Sequence, residues 1–185
     1  MDNPVFQKKF KKQTYGCAGE VRKLLTTQTG VTFLDEENYK FRLDNGALLK
    51  LYASPYTPSL GSGAFRYHPS QGHEFSIDNA DIVITHGPPK GILEVTNSCQ
   101  RAGCPFLFEA VARARPRMHC FGHIHESWGA KLVTWCQKAI PAMVRPDARP
   151  LEWGSETLFV NAAIKGGEAL PVQPAWIVEF DLLSA

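Results

Sequence analysis

No run in these 185 residues approaches the ~18 consecutive apolar side chains that a membrane-spanning helix needs. Nor does one sign of charge dominate. Lys and Arg number 20 against 18 Asp and Glu, a net charge of +2, which gives no reason to expect a nucleic acid or a membrane surface as partner. There is no internal repeat and no low-complexity tract. The first residues lack the apolar core of a signal peptide, so a reducing, cytoplasmic setting is expected. Five cysteines cannot all pair with one another, which agrees with free thiols. The one local charge excess is "KKFKK", with Lys8, Lys9, Lys11 and Lys12 around Phe10; it reads as a solvated helix face.

What is present is enough apolar material for a core, 44% of residues, with 11% aromatic. We expect one domain over residues 1–185. In "GEVRKLLTTQTG", Val21, Leu24 and Leu25 recur at helical spacing and Gly30 supplies a stop. "VTFL" reads as a short strand. "YKFRLDNGALLKLYASP" places two alternating segments around Asn45-Gly46, a favoured hairpin turn, with Tyr39, Phe41 and Leu43 on one face. Residues 54–80 read mostly as loop. "DIVIT" is a β-branched run suited to a strand buried on both faces. "PFLFEAVARARP" is a helix with Pro105 near its start and Pro116 beyond its end. "RMHCF", "AKLVTW", "TLFVNAA" and "AWIVEFDL" read as strands. Residues 137–156, with Pro141, Pro146 and Pro150, read as a loop excursion. The mixture predicts an α/β fold layered from sheet and helix.

Two of the strands share a design. "DIVITH" ends in His86, followed by Gly87; "RMHCFGHIH" ends in Gly122, His123 and His125. Ligands in layered α/β folds bind outside the carboxyl ends of strands, and neutral imidazole is the commonest metal ligand. His86, His123 and His125 are therefore a candidate metal cluster, against the alternative of ordinary surface or core histidines. His119, inside its strand, should face the same way as Phe121 and pack. His68 and His73 suggest no role. A second metal reading uses Cys99, Cys104, Cys120 and His123, whose C-x4-C-x15-C-x2-H spacing is near that of structural zinc. Cys120 beside His123 is a thiol–imidazole pair on paper, without a third group to orient it.

With "LYASPYTP", "DIVITHGPPKGILE", "AGCPFLFEAV", "RPRMHCFGHIHESWGAKL" and "TLFVNAA" in this order, nearly the whole chain resembles the calcineurin-like metallophosphoesterases, in the branch of the brain metallophosphoesterase-domain proteins. The resemblance implies a metallophosphoesterase-like sandwich of two mixed sheets flanked by helices. It implies a small phosphoester substrate, two divalent ions (manganese, iron or zinc), and hydrolysis by a metal-activated hydroxide. It assigns His86 and His123 to one ion and His125 to the other. The family's D-x-H, G-D and G-N-H blocks are absent from these residues. With them go the bridging carboxylate and the catalytic histidine, which would lie upstream of Met1. The expectation is a carboxyl-terminal part of the domain, lacking the first strands, impaired in catalysis and with open sheet edges. A non-catalytic remnant or interaction module is the alternative. Among nearby carboxylates, Glu126 should face solvent, Asp81 lies too far along its strand, and Glu94 is either an outside ligand candidate or the cap of a local turn.

Overall fold

Asn45-Gly46 turns the chain as its sequence demands. Gly46 takes a φ of +85°, open to glycine at little cost, and the Asn45 side-chain oxygen accepts from the Ala47 amide at 3.0 Å. The strands on either side, β1 (Glu37–Arg42) and β2 (Leu48–Ser54), pair antiparallel from Glu37↔Ala53 to Arg42↔Leu48. Tyr39 and Phe41 lie side by side on β1, ring centres 6.0 Å apart.

The structure, a computed structural model, describes residues 17, 19–27, 30–61, 63–135, 143–144 (backbone only), 152, 154–165, 173–179 and 181–182. The chain divides into two compact units, residues 1–34 and 35–185. In the first, helix α1 (Glu20–Thr27) occupies the segment that carries Val21, Leu24 and Leu25. "VTFL" forms no strand; Phe33 instead lies 4.8 Å beneath the Arg22 guanidinium, an attraction to the ring face that requires no ladder. "KKFKK" lies outside the described residues.

The second unit continues with β3 (Thr57–Pro58), β4 (Arg66–Tyr67), β5 (Ile82–Thr85), helix α2 (Pro105–Ala114), β6 (Met118–Phe121), β7 (Gly129–Thr134), β8 (Met143–Val144) and β9 (Glu156–Asn161). Among the described residues this makes a mixed seven-stranded sheet, ordered β1-β2-β5-β6-β9-β7-β8, and a small β3-β4 pair. The architecture is α/β. Strands β2, β5, β6 and β9 run parallel, so their carboxyl ends lie on one edge. Strand β8 falls within 137–156, the expected excursion, and pairs antiparallel with β7; much of the rest of that stretch lies outside the described residues.

Helix α2 covers one face of the sheet. Its Leu107, Ala110 and Val111 join Tyr52, Val83, Phe121 and Phe159 in the main core, and full burial of a Leu or Val side chain contributes roughly 1.5–3 kcal/mol. Pro105 opens the helix, and Arg115 closes it in the left-handed region. The cap was not expected: Cys104 Sγ accepts from the Leu107 amide at 3.3 Å, where an oxygen side chain is the common choice.

The opposite face is only partly covered. Val83 is fully buried while Ile84, its neighbour on β5, is 40% exposed, so "DIVIT" is buried on one face and not on both. Leu132, Leu158 and Val160 gather on that second face, with Val178 packed against them. "AWIVEFDL" therefore contributes a side chain to packing, but its described residues form no strand; Trp176 stacks on Trp128 instead, centres 4.9 Å apart.

Candidate functional site

The ladder carries on past the formal ends of β5 and β6. The His86 amide donates to Ser54 O at 3.2 Å, Gly122 N to His86 O at 3.1 Å, and Ala162 N to Phe121 O at 2.7 Å. His86 and the Gly122–His125 segment are thus extensions of adjacent parallel strands, held by backbone bonds. Their rings meet: the centroids of His86 and His123 are 4.7 Å apart, tilted by 58°.

His123 is held in a costly conformation. Its φ is +69°, and the Ile124 amide donates back to Gly122 O at 2.8 Å, closing a three-residue γ-turn with His123 at its apex. A non-glycine residue at such an angle costs on the order of 1–3 kcal/mol and persists where its surroundings fix it. Two side-chain amides do so. Asn161, at the end of β9 and fully buried, donates to Ile124 O at 2.8 Å and Leu93 O at 3.3 Å, and its oxygen accepts from Ala163 N. Gln173 donates to His125 O at 3.1 Å.

Both paired imidazoles are held below the usual histidine range. For His86 the causes are partial desolvation, then the Arg66 and His125 charges. For His123 they are desolvation, then His86, His125 and Arg66, with Glu126 opposing. Both rings are therefore neutral near pH 7, with a lone pair free to ligate. His125 opens a single turn of 3-10 helix. It lies within electrostatic reach of the other two, though no ring contact joins it to them in the way His86 meets His123.

Does this arrangement fit a metal? Two imidazoles bound tetrahedrally to one ion at zinc-like N distances have centroids roughly 5 Å apart, and His86 and His123, at 4.7 Å, come near that spacing. A full cage is not assembled. Among the described residues, no set of three or more His, Cys, Asp or Glu side chains is gathered to hold an ion. The donors present suit one ion in part and do not provide for a second.

The other candidates are engaged elsewhere. Cys104 caps α2 and lies 2.9 Å from the Tyr67 hydroxyl; Cys99 is exposed in a turn. Cys120 lies in β6, where burial raises its thiol pKa. The zinc spacing in the sequence is not reproduced in space. Glu94 is almost fully buried and accepts from the amides of Gly91 (2.7 Å) and Gly103 (2.6 Å) and from Arg101 (3.2 Å). It caps a turn. Glu126 is exposed and accepts from Asn97 N at 2.6 Å. Asp81 accepts from Lys50 N at the far end of β5.

His119 is fully buried, its ring 5.0 Å from that of Phe121. Its Nε2 lies 2.8 Å from Thr85 Oγ1, whose proton goes to Gly87 O at 2.8 Å. Nε2 is therefore the donor, which fixes the neutral tautomer, and burial pushes its pKa down to about 3. His73 bonds Glu36 at 2.7 Å, sharing that carboxylate oxygen with Tyr52.

A cleft of about 310 Å³ opens beside the histidine pair, bounded by Thr57, Ser59, Phe65, Arg66, His86 and His123 among others. Arg66 and Thr57 carry no sign in the sequence that would have marked them. Asn161 carried a weak sign, a lone amide ending an apolar strand.

No family model matches the chain. It is 40% identical over 136 residues to metallophosphoesterase domain-containing protein 1 of Homo sapiens, covering 70% of this chain and 35% of that protein. A UPF0046 protein of Caenorhabditis elegans is 36% identical over 89 residues, 44% of this chain and 22% of that protein. Over 158 residues, 71% of this chain but 15% of the relative, it is 36% identical to a probable rhamnogalacturonate lyase C of Emericella nidulans. The chain spans about a third or less of these curated relatives.

Proposed function

We propose that this chain is a metallophosphoesterase-type domain whose His86 and His123 hold a divalent ion for phosphoester hydrolysis, with His125 beside them as the ligand the family gives to a second ion. The observation that carries the reading is the meeting of His86 and His123 at the carboxyl ends of β5 and β6, 4.7 Å apart. The 40% identity to a protein named for a metallophosphoesterase domain supports it. The lyase name belongs to a protein of which the chain spans 15% and lends less. In this reading the half-covered face with Ile84 is where the second sheet of the family's sandwich packs.

Each part of the chain has a task. His86 and His123 would hold the ion through neutral nitrogens, and His125, two residues on, would be the next ligand available. Asn161 and Gln173 keep the loop from relaxing, so the imidazoles stay set before the ion arrives. A bound divalent ion would supply Lewis acidity and water activation. No carboxylate of the described residues is gathered with these histidines into an ion site, so the chain alone should hold its ion weakly and turn over slowly.

That same lack favours a second reading, a non-catalytic module of the same fold. Hydrolysis of bis-p-nitrophenyl phosphate with added manganese separates the two. Turnover that disappears in His123→Ala supports the esterase; a folded chain with no turnover above background supports the module.

A further inference from the structure

The cleft beside the histidines contains a second device. Among the described residues no acidic side chain lines it, yet Arg66 does, and the chain is shaped to bring that side chain there. Phe65, just before it, is forced to a φ of +58°, an unusual angle for a bulky residue. A Cβ on Gly63 would lie 2.9 Å from both Cδ and Nε of Arg66, and one on Gly61 would lie 2.9 Å from its Nη1. Two glycines therefore leave room for the folded guanidinium. Among the described residues its one hydrogen bond to a side chain is long, 3.4 Å to Ser59 Oγ. Opposite, Thr57 is about nine-tenths buried, and its hydroxyl has no partner among the described residues. A buried hydroxyl without a partner is uncommon and marks a place for a ligand or a water.

We propose that Arg66, with the Thr57 hydroxyl, is the anion anchor of this cleft and grips the non-reacting oxygens of a phosphate group set before His86 and His123. The planar guanidinium presents paired donors that match two phosphate oxygens. Thr57 supplies a neutral donor from the cleft wall. The identity of the anion as a phosphoester rests on the proposed function above; the binding of an oxyanion does not.

The test is titration of the full chain with inorganic phosphate, followed by calorimetry or 31P NMR, once in EDTA and once with manganese. The metal-free wild type should bind phosphate saturably. Arg66→Ala should weaken binding about tenfold or more, the usual scale for a charged hydrogen-bonding partner. Arg66→Lys should recover part of that, since it restores charge without the fork. Gly63→Ala removes no donor but displaces the side chain, and should also weaken binding; Thr57→Val should cost a few-fold. Phosphate affinity unchanged in Arg66→Ala, or no saturable binding by the wild type, overturns the proposal. Phosphate binding that depends on Arg66 without any metal-dependent hydrolysis would sustain the anchor and remove the esterase reading.

Discussion

The side-chain amide of Asn161 donates to the carbonyl of Ile124 at 2.8 Å, so the end of β9 fastens the loop between His123 and His125. The bond is fully buried, and removing its donor strands a carbonyl. Asn161→Ala should lower stability by about 1–3 kcal/mol, read from urea unfolding. It should also weaken metal binding although Asn161 touches no ion, because the γ-turn at His123 is then free to relax.

The apex of that turn gives a sharper test. His123→Gly removes the positive-φ penalty together with the ligand. Its stability should equal or exceed the wild type's, by up to about 1 kcal/mol, while metal affinity falls. His123→Ala should be the less stable of the two. A glycine variant that unfolds more readily than the alanine variant would contradict the strain argument.

His119 makes stability depend on pH. Its folded pKa is about 3, against roughly 6.5 when unfolded, so between these values the unfolded chain binds the extra proton. Stability is then intact above about pH 6.5 and falls as pH drops toward 3, by up to about 1.4 kcal/mol per unit. His119→Leu should be less stable at pH 7.5, having lost the bond to Thr85, but its stability should fall less steeply with acid. Equal slopes from urea unfolding at pH 7.5, 5.5 and 4.5 would contradict this.

Cys104 separates a cap from a ligand. Cys104→Ala should cost about 0.5–2 kcal/mol through the lost N-cap of α2 and leave bound metal unchanged, whereas Cys104→Ser should keep most of the stability. Loss of tightly bound zinc in either variant would restore the cysteine reading.

Much of the sheet was legible where one local rule acted alone. Asn45-Gly46 set its hairpin, the two prolines bracketed α2, and apolar runs ending in glycine and histidine marked β5 and β6 and brought His86 to His123. What could not be read depended on partners distant in sequence. "AWIVEFDL" alternates like a strand, yet Val178 and Trp176 are held by packing onto Leu132, Leu158, Val160 and Trp128. Cys104 looked like a metal ligand because its bond to the Leu107 amide is invisible in the spacing. Arg66 gave no signal at all, since what aims it is the backbone angle of Phe65 and the room left by Gly61 and Gly63.

The central claim is that His86 and His123 share one divalent ion, and cobalt titration of the full chain followed by visible absorption tests it most directly. The account predicts saturable binding of one ion per chain, lost on either His86→Ala or His123→Ala, with the double variant no worse than either single one. Cobalt that binds equally well after both substitutions, or that never binds the folded chain, would contradict it.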